Sequence, residues 1–236
     1  MIRSLAAAAD WIDSVGLALV FPKADIVLPS LWEQVNGSAA ANWAIRNPDG
    51  TYVSWTEEMG FLWSAKDDLP EQGLACVGKH LAGVTACVAP RLLPALVAAN
   101  RGETPDEPVL AAVRDLGPLT SPQLREATGL AKKDVDRAVV SLHKRLLLTT
   151  SHLVEQDGPW GALAHDLLDR KWALGTLPSR DEARRTLAAC VLAGAGELTA
   201  ADLRGALRWR AKEAAAVLDE IAEGREQDGF RIWAAP

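Results

Sequence analysis

Cysteine is scarce in this chain, with three residues in 236. A small, odd number of cysteines argues against the disulfide framework that staples small secreted scaffolds. Long apolar runs are missing as well, none approaching the roughly 18 residues that span a bilayer. The N-terminus, MIRSLAAAADWIDSVG, carries acids where a signal peptide keeps its apolar region clean. A soluble, cytoplasmic protein with no membrane partner is expected. There is no GxxxxGKS/T phosphate loop, no GxGxxG after a strand and no HExxH, so no cofactor is expected. Positive charge is also in deficit: the formal net charge is −6, so any nucleic-acid contact has to be local. The length suits two or three small domains, and 49% hydrophobic residues are enough to bury a core.

What is present is a helix-turn-helix pattern from Leu116 to Leu148. Thr120 or Ser121 can cap a first helix, with Pro122 just inside it, and Thr128-Gly129 stops it. Leu124 and Ala127 are expected to face inward. After Gly129, residues Val135, Ala138, Val139 and Leu142 keep helical spacing, with Lys132, Lys133, Asp136, Arg137 and Lys144 on other faces. Leu146 to Glu155 is strand-prone and leads to a turn signal at Asp157-Gly158-Pro159. A strand and turn after the second helix predict a winged helix.

Upstream, Ile2, Leu5, Ala9, Ile12 and Val15 predict an amphipathic helix ended by Gly16, followed by the short apolar run Leu17 to Phe21. Leu28 to Gly60 has few regular periods, apart from a candidate strand over Thr51 to Trp55. Gly73 to Ala89 reads as a hairpin turning at His80-Leu81-Ala82-Gly83. A turn centred between Leu81 and Ala82 sets Cys76 opposite Cys87. A helix from Pro90 to about Asn100 precedes the linker Arg101 to Pro108. Val109, Leu110, Val113 and Leu116 give one helix face, Trp160 to Trp172 a further helical segment, and Leu187 to Val191 another.

The helix-turn-helix text then recurs. A shift of 79 positions lays Leu119-Thr120 on Leu198-Thr199, Leu124-Arg125 on Leu203-Arg204, Ala138-Val139 on Val217-Leu218 and Leu142 on Ile221. Asp228-Gly229 supplies a hairpin turn before Phe230 to Trp233. The expected fold is α+β and mainly α. It comprises an N-terminal Trp-rich winged-helix-like domain containing a β-hairpin (1–100) and tandem winged-helix domains at 105–172 and 179–236.

The phrases VGLALVFP, LPSLWEQVNG, WSAKDDLP and VGKHLAGVTACVAPRLLP, in that order ahead of tandem winged helices, resemble the shorter AlkZ-related members of the AlkZ/YcaQ DNA glycosylase superfamily. The resemblance implies winged helices that cradle duplex DNA, in a superfamily whose full-length members excise alkylated bases. Those enzymes carry a Gln-x-Asp or Gln-x-Gln pair just after a Leu-Gly-type step. Here the matching step is Val15-Gly16, and Leu17, Ala18, Leu19 and Val20 follow it. None of these can orient a water or stabilise a sugar cation, so enzymatic activity is left open.

From Gln123 to Arg145 six basic residues face three acids, whereas Ala201 to Glu226 has five against six. The DNA-contacting residues are therefore expected to be Lys132, Lys133, Arg137, Lys144 and Arg145. The second copy is expected to be structural, touching phosphates at most through Arg208 and Arg210. Cys76, Cys87 and His80 invite a metal reading, but zinc usually needs four ligands, and buried free thiols are the expectation. His80, His143, His152 and His165 follow no ligand or triad spacing and are expected at surface or packing positions. Glu57-Glu58 and Asp67-Asp68-Glu71 are expected in solvated loops or helix starts, and Trp32, Trp43, Trp55 and Trp63 in a core rather than stacked on a base. The leading function is a duplex-DNA-binding protein that senses or processes damaged DNA in DNA repair. One alternative is an active glycosylase with a relocated site around Glu33, Gln34 and Asp67. The other is a regulatory protein with a protein partner, motivated by six basic residues against ten acids in the first hundred.

Overall fold

The computed structural model describes residues 1–38, 56–155, 161–227 and 229–235, and the chain is α+β and mainly helical. One order of elements, helix, strand, helix, helix, strand, strand, runs through it three times. The first pass is α1 (Leu5–Val15), β1 (Leu17–Leu19), α2 (Leu31–Asn36), α3 (Glu57–Glu71), β2 (Cys76–Gly78) and β3 (Ala86–Val88). A 3-10 turn at Pro90–Leu92 and α4 (Leu93–Asn100) follow it. The second is α5 (Pro108–Leu116), β4 (Leu119–Thr120), α6 (Ser121–Thr128), α7 (Lys132–Lys144), β5 (Leu148–Val154) and β6 (Ala162–Leu167), with a short α8 (Leu168–Lys171) behind it. The third is α9 (Arg180–Ala195), β7 (Glu197–Leu198), α10 (Ala200–Leu207), α11 (Ala211–Ile221), β8 (Gly224–Gln227) and β9 (Phe230–Ala234). Each pass closes a three-stranded antiparallel sheet with its last strand in the centre: β1-β3-β2, β4-β6-β5 and β7-β9-β8.

Local chemistry explains where the helices begin. Thr120 accepts the backbone N–H of Gln123, whose side chain accepts from the Thr120 N–H at 2.8 Å, and Thr199 and Asp202 repeat this reciprocal cap in the third pass. Both caps satisfy N–H groups that a helix start leaves without partners. The 79-residue spacing holds from α6 to α10 and from the start of α7 to the start of α11. It also holds at the residue ending the first helix of each pair, Gly129 at φ 71° and Arg208 at φ 62°.

The first sheet is buried on both faces, and alternation along its strands sorts the side chains between two cores. Val20, Val77, Cys87 and Ala89 pack with Ile12, Trp32, Leu62 and Leu69 of α1, α2 and α3. Leu17, Leu19, Cys76, Ala86 and Val88 point the other way, into a core shared with α4 and the third pass, including Leu187, Leu203 and Leu218. The second pass keeps a core of its own around Val109, Leu124, Val135, Leu142 and Leu148. Three apolar passes thus meet at one junction, with α4 lying along α9.

Several expectations are corrected. The hairpin turns one half-residue later than expected, because its loop takes up positive φ at Ala82 (48°) and Gly83 (73°). Cys76 therefore pairs with Val88 and Cys87 with Val77, which puts the two thiols on opposite faces of the sheet. Residues 162–167 form strand β6 rather than a helix: Ala164, Asp166 and Leu168 are buried at period two, and β4 and β5 flank the strand on either side. Leu116 is 66% exposed and Ala127 is exposed, each in the last turn of its helix. Glu57 and Glu58 open α3 after the cap Thr56, but Asp67 is buried along that helix. Trp32 is buried, whereas Trp63 is 46% exposed beneath the ammonium of Lys66. Trp43, Trp55, the 51–55 strand, the 157–159 turn and Asp228 lie outside the described residues.

Candidate functional site

Of the five expected DNA-contacting residues, Lys132 and Lys133 open α7, Arg137 lies near its middle, Lys144 ends it and Arg145 follows it, with Lys132 and Lys144 about 18 Å apart at 1.5 Å rise per residue. At the exposed start, Lys132 reaches Asp136 at 2.7 Å and Arg137 reaches Asp134 at 3.5 Å, with side chains 74% and 77% exposed. Lys133 is exposed beside them. Surface pairs at this spacing are worth only about 0.3–0.5 kcal/mol, so both cations can exchange their partners for a phosphate. At the far end, Arg145 donates to the Glu103 carbonyl at 3.1 Å and thereby holds the 101–107 linker.

Lys144 turns into the junction of the three passes. There it lines a cavity of about 460 Å³ with Arg180 and Arg184 of α9 and Arg208 and Arg210 of the α10–α11 turn, Glu213 being the acid among the lining residues. Arg208 donates to the Lys144 carbonyl at 3.1 Å. Arg184 donates to Glu213 at 3.2 Å, and its guanidinium lies 5.5 Å from the centroid of the Trp209 ring. Trp209 is fixed by donating to Asn100 Oδ1, and Asn100 donates to the Leu207 carbonyl. Arg184 and the Arg210 backbone N–H hold the Glu213 carboxyl below its usual range, the backbone hydrogen bond being the larger cause. Lys144, Arg208 and Arg210 were within reach of sequence reasoning; Arg180 and Arg184 were missed, because nothing local tells which face of α9 meets the other passes.

Three of the four histidines, which follow no ligand or triad spacing along the sequence, come together at the same junction. The His80 and His143 rings stack with centroids 5.4 Å apart, and His165 meets His143 edge-on at 5.1 Å. The His80 Nδ1 bond to the His143 carbonyl, 2.8 Å, fixes that nitrogen as the donor and leaves Nε2 with a lone pair. His143 Nε2 and His165 Nδ1 share a proton across 3.1 Å. His80 Nε2 and His143 Nδ1 have no hydrogen-bond partner, and a Cβ at Gly78 would lie 2.6 Å from each. Burial pushes His80 and His165 down to about 4 and His143 well below its usual value. Among the described residues no group of three or more His, Cys, Asp or Glu is placed to hold a metal ion. Burial raises Cys76 and Cys87 to about 12, which keeps both as thiols.

The segment after the Val15-Gly16 step is apolar, with Leu17 to Val20 all at 1% exposure or less. Glu33 accepts from the Ser30 N–H and hydroxyl at 2.9 and 2.7 Å, closing a capping box at the start of α2. Asp67 pairs with Lys66 at 2.6 Å, and burial raises its carboxyl. It lines a small cavity with His143 and His165 that neither Glu33 nor Gln34 enters. No helix among the described residues is long and apolar enough to cross a membrane.

Three passes of one α+β unit, joined around a cation-lined junction, define a repeat-built protein whose second pass presents a basic helix. The chain belongs to the AlkZ-related family, whose sequence profile matches residues 2–208. Among solved structures, Streptomyces sahachiroi DNA glycosylase AlkZ aligns with a TM-score of 0.53 and 14% identity, over 97% of this chain and 64% of that one. The likeness is one of fold, and this chain spans less than two-thirds of that protein's length. No curated protein matches it in sequence.

Proposed function

We propose that this protein binds duplex DNA through three winged-helix units, covering residues 1–100, 105–172 and 179–236, and that it senses or processes damaged DNA. The observation that carries the reading is the exposed start of α7. Lys132, Lys133 and Arg137 stand clear of the protein on the second helix of a helix-turn-helix, the element that enters the major groove in such folds. Lys144 and Arg145, at the other end of the helix, join the contact by exchanging the junction and the Glu103 carbonyl for backbone phosphates. The family and the fold likeness to a DNA glycosylase support the same partner. The buried apolar residues at Leu17 to Val20 favour recognition without the pair that full-length members use.

Duplex binding across a salt series tests the proposal. Each neutralised phosphate contributes about −0.9 to the slope of log affinity against log salt. Replacing Lys132, Lys133 and Arg137 by glutamine is expected to flatten that slope by one to three such steps. No binding at about 50 mM salt would sink the reading. Where binding is present, release of a methylated base to leave an alkali-labile site separates an enzyme from a sensor.

A further inference from the structure

The junction cavity concentrates charge against the trend of the chain. Five cations and one carboxylate leave four positive charges around about 460 Å³ in a protein whose formal net charge is −6. Like charges held together in a partly closed space repel, and an anion entering that space relieves the repulsion.

The fold holds two of these cations, Arg184 and Arg208, in place. Arg208 lies at φ 62°, the left-handed conformation that its counterpart 79 residues earlier, Gly129, adopts at φ 71° without cost. An L side chain in that conformation stores strain, and strained residues of this kind cluster at ligand sites. The strained residue here is one whose side chain lines the cavity. Arg184 is fixed by its ion pair with Glu213 and its place over the Trp209 ring. Four of the five cations are guanidinium groups, whose forked donors match phosphate oxygens two at a time.

We propose that this cavity binds a phosphate group, with Arg184 and Arg208 as its principal donors and Lys144, Arg180 and Arg210 around it. The phosphate can belong to a free nucleotide or to a nucleic-acid backbone. The site does not depend on α7 reading a duplex.

The test uses the full chain, titrated with inorganic phosphate, AMP and a short duplex and followed by calorimetry and thermal unfolding. Saturable AMP binding is expected, weakened at least tenfold in both Arg184→Gln and Arg208→Gly. Arg208→Gly carries a second signature: its unliganded melting temperature is expected to equal or exceed wild type, because glycine suits φ 62°. Affinity falling while stability holds separates a ligand-binding arginine from a structural one. AMP displaced by duplex assigns the phosphate to a backbone; AMP undisturbed by duplex assigns it to a free nucleotide. Binding of AMP without any duplex binding supports the cavity and ends the groove-reading proposal. No saturable AMP binding up to about 10 mM, with duplex affinity unchanged in both variants, overturns the cavity site and leaves the α7 reading standing. Equal AMP affinity in wild type and both variants overturns it as well.

Discussion

The histidine cluster makes stability depend on pH between about 6.5 and 4. In the unfolded chain each imidazole binds its proton near 6.5; folded, His80 and His165 do so only near 4, because burial disfavours the charged ring. Between those values the unfolded state binds more protons, so stability is complete above about pH 6.5 and is lost as pH falls towards 4. A shift of one unit corresponds to about 1.4 kcal/mol, so lowering the pH from 7 to 5 costs on the order of 2 kcal/mol for each of the two rings. His143 adds to this in the same direction. A total on the order of 4 kcal/mol is a large share of the roughly 5–15 kcal/mol by which domains are stable. Urea unfolding at pH 7.5, 6.5, 5.5 and 5.0 reads the loss as a falling midpoint at constant slope. His80→Gln and His165→Gln should each flatten the dependence by about one proton, whatever either does to stability at pH 7.5. His152→Gln, outside the cluster, should leave it unchanged. A midpoint that is flat from pH 7.5 to 5, or a dependence untouched in both cluster variants, refutes the neutral buried triad.

Two other sites give sharp contrasts. Gly78→Ala drives a methyl to 2.6 Å from two buried ring nitrogens and is expected to cost about 1–3 kcal/mol, whereas Gly194→Ala, inside α9 with nothing within 4 Å, should be neutral or stabilising; equal unfolding midpoints for the two would contradict this packing. Thr120→Ala and Thr199→Ala each remove a cap and should cost about 1 kcal/mol by urea unfolding, and a loss at one site only would show that the repeat is not equivalent in energy.

The repeat was legible because it is written in local chemistry. Thr120 and Thr199 cap, Leu124 and Leu203 bury, and α7 and α11 start 79 residues apart, all from interactions spanning a few positions. The first pass, expected to be winged-helix-like, does not align with the other two by a fixed shift because its two inner helices, α2 and α3, are separated by residues 37–56 instead of the short turn of the other passes. Strand β6 was misread for a different reason. Its run ALAHDL has neither β-branched residues nor aromatics, and its conformation comes from pairing with β4 and β5. The hairpin register differs because two successive residues of positive φ, Ala82 and Gly83, shift the turn by half a residue, which moves every partner by one.

The site was less legible than the fold, and the distances along the chain say why. The His80 bond to His143 spans 63 positions, the Arg208 bond to Lys144 spans 64, and Trp209 reaches Asn100 across 109. Each contact is made where separate passes meet, and the period of a helix or strand carries no information about its neighbours across such a junction. One residue did carry a local sign. A shift of 79 lays Arg208 on Gly129, the left-handed residue that ends α6. Where a repeat keeps its caps, its buried positions and its helix starts but gives up the glycine that its backbone favours, the exception points away from folding and towards what the side chain does. At Arg208 that side chain enters the cation-lined cavity, so the departure from the repeat, more than the repeat itself, is the sequence's pointer to a binding site.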